Sequence, residues 1–480
     1  MNLPHQDAAP TIESAVKAIG GIVGPKHVLL DSASLGYYSA DALGRWRGGA
    51  PDPQAPRVFA VARPGSTAQV AELVRLANRE GLALVPFGGG TGVAGAITPM
   101  QGGVAVDMCR MNCIVSVDAK ARTATAEAGV VLGDLNAALA RDGLFVGHDP
   151  YSVPIATVGG TISTNGVGYR AAKYGSMGEQ VLGLEVVLPT GDTIRTSAVP
   201  KTSAGPALRH LFIGAEGVFG IITQATLRVF REPEAREFRT FDFPTFEDGY
   251  NAMLEMFSIG LRPALVDLTE EPDESPGNPA PFKTWLYMVF EGYTEEVEAQ
   301  VARAARVCAA CHGADIGPNP SLEYWARRHD SAYRYKERFV DAPPEVCPES
   351  RGWPRTSAYP HVAIPASCVP EYRRRCQEIA DRAGLQIREY ALWTQPELFS
   401  VVLVDVGLEE NGASGRLEET VDEVLSVAQD MGGSMEYVHG VGTRLNHLMG
   451  RELGDGMQAL RDLKRALDPR GIMNPGKLGL

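Results

Sequence analysis

The chain of 480 residues carries a formal net charge of −13, with 44% hydrophobic and 21% charged residues. That balance is ordinary for a globular protein with a sizeable core and two or three domains. The acidic surplus argues against nucleic acid or an anionic membrane surface as partner, while a small anionic substrate stays open, because a basic pocket can sit on an acidic protein. There is no apolar run long enough to predict a membrane span, and MNLPHQDAAPTIESAVKAIGGIVG has no basic stretch followed by an apolar one. The seven cysteines are sparse and odd in number, the usage of reduced thiols in a cytoplasm.

In chain order, Thr11 to Gly24 reads as an amphipathic helix and Arg57 to Pro64 as a strand. Thr67 reads as the cap of a helix over AQVAELVRLANREG that stops at Gly81, and a short apolar strand runs from Leu82 to Phe87. Gly88 to Gly103 is glycine-rich and interrupted by Thr98-Pro99. Strands are predicted over 104–108, 114–119 and 123–130, and a short helix over 133–143. GLEVVLPTGDTIRT (183–196) is a hairpin turned at Thr190-Gly191-Asp192, and GVFGIITQATLRVF (217–230) a glycine-initiated strand. The character changes near Glu232-Pro233. Beyond it, long amphipathic helices at 295–311 and 368–384 alternate with strands at 284–292 and 398–407. That pattern suits an antiparallel sheet with helices on one face. A last helix spans 455–468.

PFGGGTGVAG (86–95) carries the first chemistry. Consecutive glycines after an apolar strand let backbone N–H groups approach a pyrophosphate. Gly90 to Gly95 also fits G-x-G-x-x-G, and Asp107 lies near the distance expected of a ribose-binding acid. A Rossmann loop must open a helix, however, and this one runs into Ile97-Thr98-Pro99. A second segment, 147–181, is dense in Gly, Ser and Thr, and GAEGVFGIIT (214–223) makes a third glycine-rich turn into a strand. With HGVGTRL (439–445) and DPRGIMNPGKLGL (468–480), these segments resemble, in order and over nearly the whole chain, the FAD-binding enzymes that include vanillyl-alcohol oxidase, the D-lactate and glycolate dehydrogenases and alkyl-dihydroxyacetone-phosphate synthase.

The resemblance implies an α+β fold. Its parts are a two-subdomain FAD-binding domain over 1–232, a substrate or cap domain with an antiparallel sheet and helices over 233–435, and a segment over 436–480 that returns to the FAD domain. It implies that Phe87 leads into a pyrophosphate site at Gly88, Gly89, Gly90, Thr91 and Gly92. Adenine and ribityl contacts fall to Asp149, Pro150, Ser152, Thr157, Gly159, Gly160, Ser163, Thr164 and Gly166, to Glu216, Gly217, Ile221 and Ile222, and to Asn474. The first glycine loop contains no histidine, with Thr91 in that neighbourhood, so the FAD is expected to be non-covalent.

Alcohol oxidation on a flavin needs a base for the hydroxyl proton and a group that fixes the substrate. His439 in MEYVHGVGTRL is the base candidate; the plain alternative is a hydrogen-bonded histidine beside a glycine turn. Tyr437 and Arg444 flank it as anchors or as inert neighbours. YWARRHDSAYRY (324–335) resembles the stretch that supplies a carboxylate-binding arginine, which would be Arg328. The relatives' two-histidine metal motif finds no histidine in YALWTQPELFSVVLVDVG (390–407), so no metal is expected. Tyr359 stands near the place of a relative's lysine.

The preferred reading is hydride transfer from a 2-hydroxy acid or related alcohol. One alternative is a transferase like alkyl-dihydroxyacetone-phosphate synthase, of whose histidine run only His439 remains. Another is an aromatic-alcohol or phenol oxidase with Trp353, Tyr359 and Trp393 in the pocket. Cys308-Ala309-Ala310-Cys311-His312 matches a haem-attachment pattern, but it ends a long helix and no cytochrome module surrounds it. The expected partners are a small-molecule substrate and an electron acceptor (oxygen, quinone or protein); a homodimer is left open, and the expected setting is cytoplasmic.

Overall fold

The computed structural model describes residues 11–42, 56–272, 282–342, 357–406 and 415–480; Trp353 and Cys347 lie outside them. The first sheet orders Val28–Leu29, Ala60–Ala62, Val104–Asp107 and Leu84–Phe87. The last three strands are parallel. Parallel strands covered on both faces need continuous apolar runs, and AVA, VAVD and LVPF supply them. The helix Thr67–Glu80 ends at Gly81, which sits at φ 69°, a left-handed C-cap. Its N-cap is Ser66 rather than Thr67: the Ser66 hydroxyl accepts the Gln69 N–H. The Thr67 hydroxyl is instead spent on Glu185 Oε1 at 2.5 Å, tying this helix to the second sheet.

That second sheet is antiparallel and orders Ile114–Asp118, Thr123–Glu127, Ile221–Arg228, Val181–Val187 and Thr193–Arg195. The Gly/Ser/Thr-dense segment beside it winds into three short helices, Val158–Thr164, Ala171–Tyr174 and Met177–Gln180. Asp107 is buried in the first sheet and holds Tyr38 Oη at 2.6 Å and Arg63 Nε at 2.9 Å, which uses it internally.

The third sheet has eight strands and is antiparallel. Register decides what each face carries, because one step along a strand reverses the side chain. One row across five strands reads Phe241, Leu286, Leu268, Leu392 and Phe399, all buried. Helices Phe246–Ser258 and Val369–Ala383 cover this face, with Phe246 and Tyr372 packed edge-on to Phe399. The row on the other face reads Asp242, Trp285, Thr269, Ala391, Ser400 and His361. Next to it run Tyr287, Asp267 and Trp393. That face is polar and aromatic, and it confronts the first glycine loop.

The chain end returns to the first sheet. Met473 bridges Leu84 in parallel, and Asn474 N–H donates to Leu84 O at 2.9 Å. Cys308 is buried in the core at the end of the helix Thr294–Ala310, and His312 Nδ1 lies 3.0 Å from Asp248 Oδ1, so packing accounts for the Cys-Ala-Ala-Cys-His run. Among the described residues no helix is long and apolar enough to cross a membrane.

Candidate active site

The glycine loop leaves the strand Leu84–Phe87 and lies against the segment that opens the helix Val158–Thr164. A Cβ on Gly88 would sit 2.5 Å from Thr157 Oγ1, and one on Gly89 2.4 Å from Ile155 O. Only glycine permits so close a backbone approach. Among the described residues the N–H groups of Gly89, Gly90, Thr91 and Gly92 have no hydrogen-bond partner. Such unsatisfied donors call for an anion or polar ligand.

Three cavities of about 320, 490 and 80 Å³ meet at Gly88 and Thr157 and form one long groove. Gly88 to Gly92, Pro150, Ser152, Thr157, Gly160, Thr164 and Gly166 line the central part. Phe87, Gly159, Ser163, Glu216, Gly217, Ile221 and Ile222 line the narrow end. Asn474 lines none of the three; its Nδ2 donates to Ala96 O at 2.9 Å and Glu216 O at 2.7 Å. Asp149 also lies off the groove, between Arg328 and His329. An elongated dinucleotide with a pyrophosphate fits these free donors and this shape.

The far wall of the central cavity is the polar face of the eight-stranded sheet: Asp267, Glu389, Ala391, Trp393, Ser400 and His361, with Tyr324 beside them. His439 and Val438 close one side. Their loop is held by two buried carboxyls. Glu436 Oε1 accepts the N–H groups of Tyr437, Val438 and His439 at 3.1, 2.7 and 3.0 Å. Glu216 accepts those of Val441 and Gly442 at 2.6 and 3.0 Å. Burial lifts both carboxyls to about 7 against these hydrogen bonds.

The His361 and His439 rings stand edge to face, 4.7 Å apart. Burial, aided by the charge of Arg444, lowers His361 to about 4, so it is neutral near pH 7. Ligand-type atoms of His361, Glu436 and His439 lie within 4.8 Å of one another. The chain read as lacking metal ligands therefore gathers three, although Glu436 Oε1 is already committed to backbone.

Of the other residues singled out in the sequence, Arg444 is buried against His361 and Glu436. Tyr437 Oη is buried without a partner. Arg328 does not line the cavity: its Nε is 2.9 Å from Asp149 Oδ2 and its Nη1 donates to Trp325 O. Tyr359 is 49% exposed and does not line the cavity. Sequence reasoning missed His361, Asp267, Glu389, Tyr324 and His148. His148, in GHDPYS, is buried with both ring nitrogens unpartnered; a histidine amid small residues was the available signal. Asp267 sits between Val266 and Leu268 in the apolar start of its strand, which was the signal for it.

Fold and groove together define a flavoprotein of the vanillyl-alcohol-oxidase type. The FAD binding domain family matches residues 59–197, and the chain belongs to the FAD linked oxidases, whose C-terminal domain matches residues 232–478, more than half of its length. It is an FAD-dependent oxidoreductase. It is 28% identical to "Glycolate oxidase subunit GlcD" of Bacillus subtilis, over 95% of each chain. It is 29% identical to "D-lactate dehydrogenase" of Archaeoglobus fulgidus, over 89% of this chain and 92% of that one. It is 26% identical to "Alkyldihydroxyacetonephosphate synthase" of Trypanosoma brucei brucei, over 87% of this chain and 73% of that one. A solved structure of p-cresol methylhydroxylase superposes with TM-score 0.76 at 19% identity, covering 98% of this chain and 96% of the other, which speaks for the fold.

Proposed function

We propose that the enzyme oxidises a hydroxyl-bearing small molecule to its carbonyl, with His439 as the base. The observation that carries this reading is the pairing of His439 and His361 on a cavity whose opposite wall is the glycine groove. Bound in that groove, FAD supplies a two-electron acceptor for the hydride of the carbinol carbon. The hydroxyl proton goes to His439. Its ring lines the cavity, with Nδ1 3.9 Å from Glu436 Oε1. His361, neutral and adjacent, steadies that hydroxyl. Phe87 to Gly92, the 150–166 segment and Glu216 to Ile222 hold the cofactor without a covalent bond, since Thr91 stands where some relatives carry a histidine. The division at 232 and 435 separates cofactor and substrate elements, and oxygen, a quinone or a protein in a cytoplasmic setting restores the oxidised flavin.

The relatives' names point to a 2-hydroxy acid; Arg328, the anchor that reading needs, faces Asp149. The test is anaerobic mixing of the purified holoenzyme with a panel of alcohols while the flavin absorbance is followed. Bleaching by at least one class is expected, and His439→Gln should slow it by about 10²–10⁴-fold. A flavin that no alcohol bleaches would refute the reading.

A further inference from the structure

We propose that the substrate of this cavity is an uncharged polyhydroxyl compound, gripped through its hydroxyls by Asp267 and Glu389 between the Tyr169, Tyr324 and Trp393 rings. This rests on the alcohol-oxidation reading and names its substrate class. Besides three tyrosines, the ionisable side chains on the described cavity wall are Asp41, His148, Asp267, His361, Glu389 and His439. No lysine or arginine is among them. A carboxylate substrate would therefore find no ammonium or guanidinium on this wall to pair with, and an unpaired charge is costly to take out of water.

Asp267 is the sharper observation. It is 5% exposed. Its Oδ2 accepts the Tyr324 hydroxyl at 2.7 Å, Oδ1 is buried without a partner, and the residue is part of the cavity lining. An unsatisfied buried acceptor costs free energy until a donor arrives, and a substrate hydroxyl is such a donor. Glu389 lines the same wall. No basic side chain among the described residues pairs with either acid.

Tyr169 stands perpendicular to both Tyr324 and Trp393, with centroids 6.0 and 5.3 Å away. These rings give the C–H face of a polyol an apolar slot while the carboxyls take its hydroxyls. Burial lifts Asp267 to about 7 and Glu389 to about 8. Near neutral pH the wall is therefore partly discharged, which weakens its hold on an ammonium but not on a hydroxyl. The arginines nearby, Arg327, Arg328 and Arg334, line an outer cleft of about 540 Å³ that shares only Tyr169, Asp267, Tyr324 and Glu389 with the central cavity, so they stand beyond the acids.

The experiment uses the FAD-loaded enzyme without oxygen. Binding of xylitol, D-lactate and ethanolamine is measured by calorimetry, and flavin bleaching is followed separately. Xylitol should bind most tightly. Asp267→Asn and Glu389→Gln should each weaken its binding about tenfold while leaving the resting flavin spectrum unchanged; the second variant, at a half-buried site, guards against misfolding of the first. Tighter binding of D-lactate or ethanolamine, no binding of xylitol, or unchanged xylitol affinity in both variants would overturn the assignment. Xylitol binding without bleaching would uphold the polyhydroxyl class and remove the hydride-transfer reading. Bleaching by D-lactate alone would do the reverse.

Discussion

Arg328 shows how a residue's role depends on what its charge already faces. Its Nε lies 2.9 Å from Asp149 Oδ2, and its guanidinium stacks 3.8 Å from the Trp325 ring centre. Burial works to raise the Asp149 carboxyl, yet His329 and Arg328 together hold it at about 2. Removing one partner of a buried pair costs about 3–5 kcal/mol because the other charge stays behind. His329 Nε2, 3.0 Å from the second Asp149 oxygen, still faces the carboxylate, so Arg328→Ala should fall at the low end, about 3 kcal/mol. Urea denaturation measures that loss, and the KM of the folded variant for its alcohol should be unchanged. A variant with normal stability and a tenfold higher KM would make Arg328 the substrate anchor after all. Two adjacent arginines on a helix read alike in sequence. Only the fold shows that Arg328 turns inward to an aspartate 179 positions earlier, while Arg327 stays with Glu323 and Asp330 at the surface.

At the scale of elements, the stretch after the glycines is clamped from the chain end. Thr443 and Arg444 N–H groups donate to Ala94 O at 2.9 and 3.0 Å. Asn474 holds Ala96 O and Glu216 O, and Lys477 Nζ donates to Thr98 O at 2.5 Å. Asn474 sits at φ 38°, a left-handed conformation that asparagine tolerates better than most residues. Asn474→Ala strands two buried carbonyls and adds backbone strain, a loss of about 2–4 kcal/mol. The expected outcome is FAD loss on desalting, read as the flavin-to-protein absorbance ratio. Asn474→Gly, which relieves only the strain, should fall between. Full retention in both variants would show that the clamp does not shape the groove. The glycine segments and their order were legible in sequence because close backbone approach restricts a position to glycine. The short helices over 158–180 were not, since Gly and Thr there have weak helix propensity and tertiary contacts decide. The polar sheet face was also hidden: Asp267 and Trp393 share it only because strands 126 positions apart pair in that register.

Over the whole molecule, the site stores protons. Glu216, Asp267 and Glu436 are raised to about 7 and Glu389 to about 8, in each case chiefly by burial. Unfolded, such groups release their protons near their ordinary values of 3.8 and 4.5. From there up to pH 7–8 the folded state binds more protons, so stability falls as pH rises. Two buried histidines act oppositely. His148 and His361 are lowered to about 4 from 6.5, so their contribution grows with pH between those values and is complete above 6.5. Lys477, lowered by burial to about 8, begins to add stability only above that pH. Between pH 6.5 and 8 the carboxyls therefore act almost alone, and the melting temperature should decline across that window in a calorimetric series. Glu389→Gln removes the carboxyl that titrates highest and should flatten the upper part of the decline. A melting temperature that stays level or climbs over this range would mean that the four acids are already ionised in the folded protein, and that water reaches the polar sheet face and the loop at Glu436 far more freely than their burial implies.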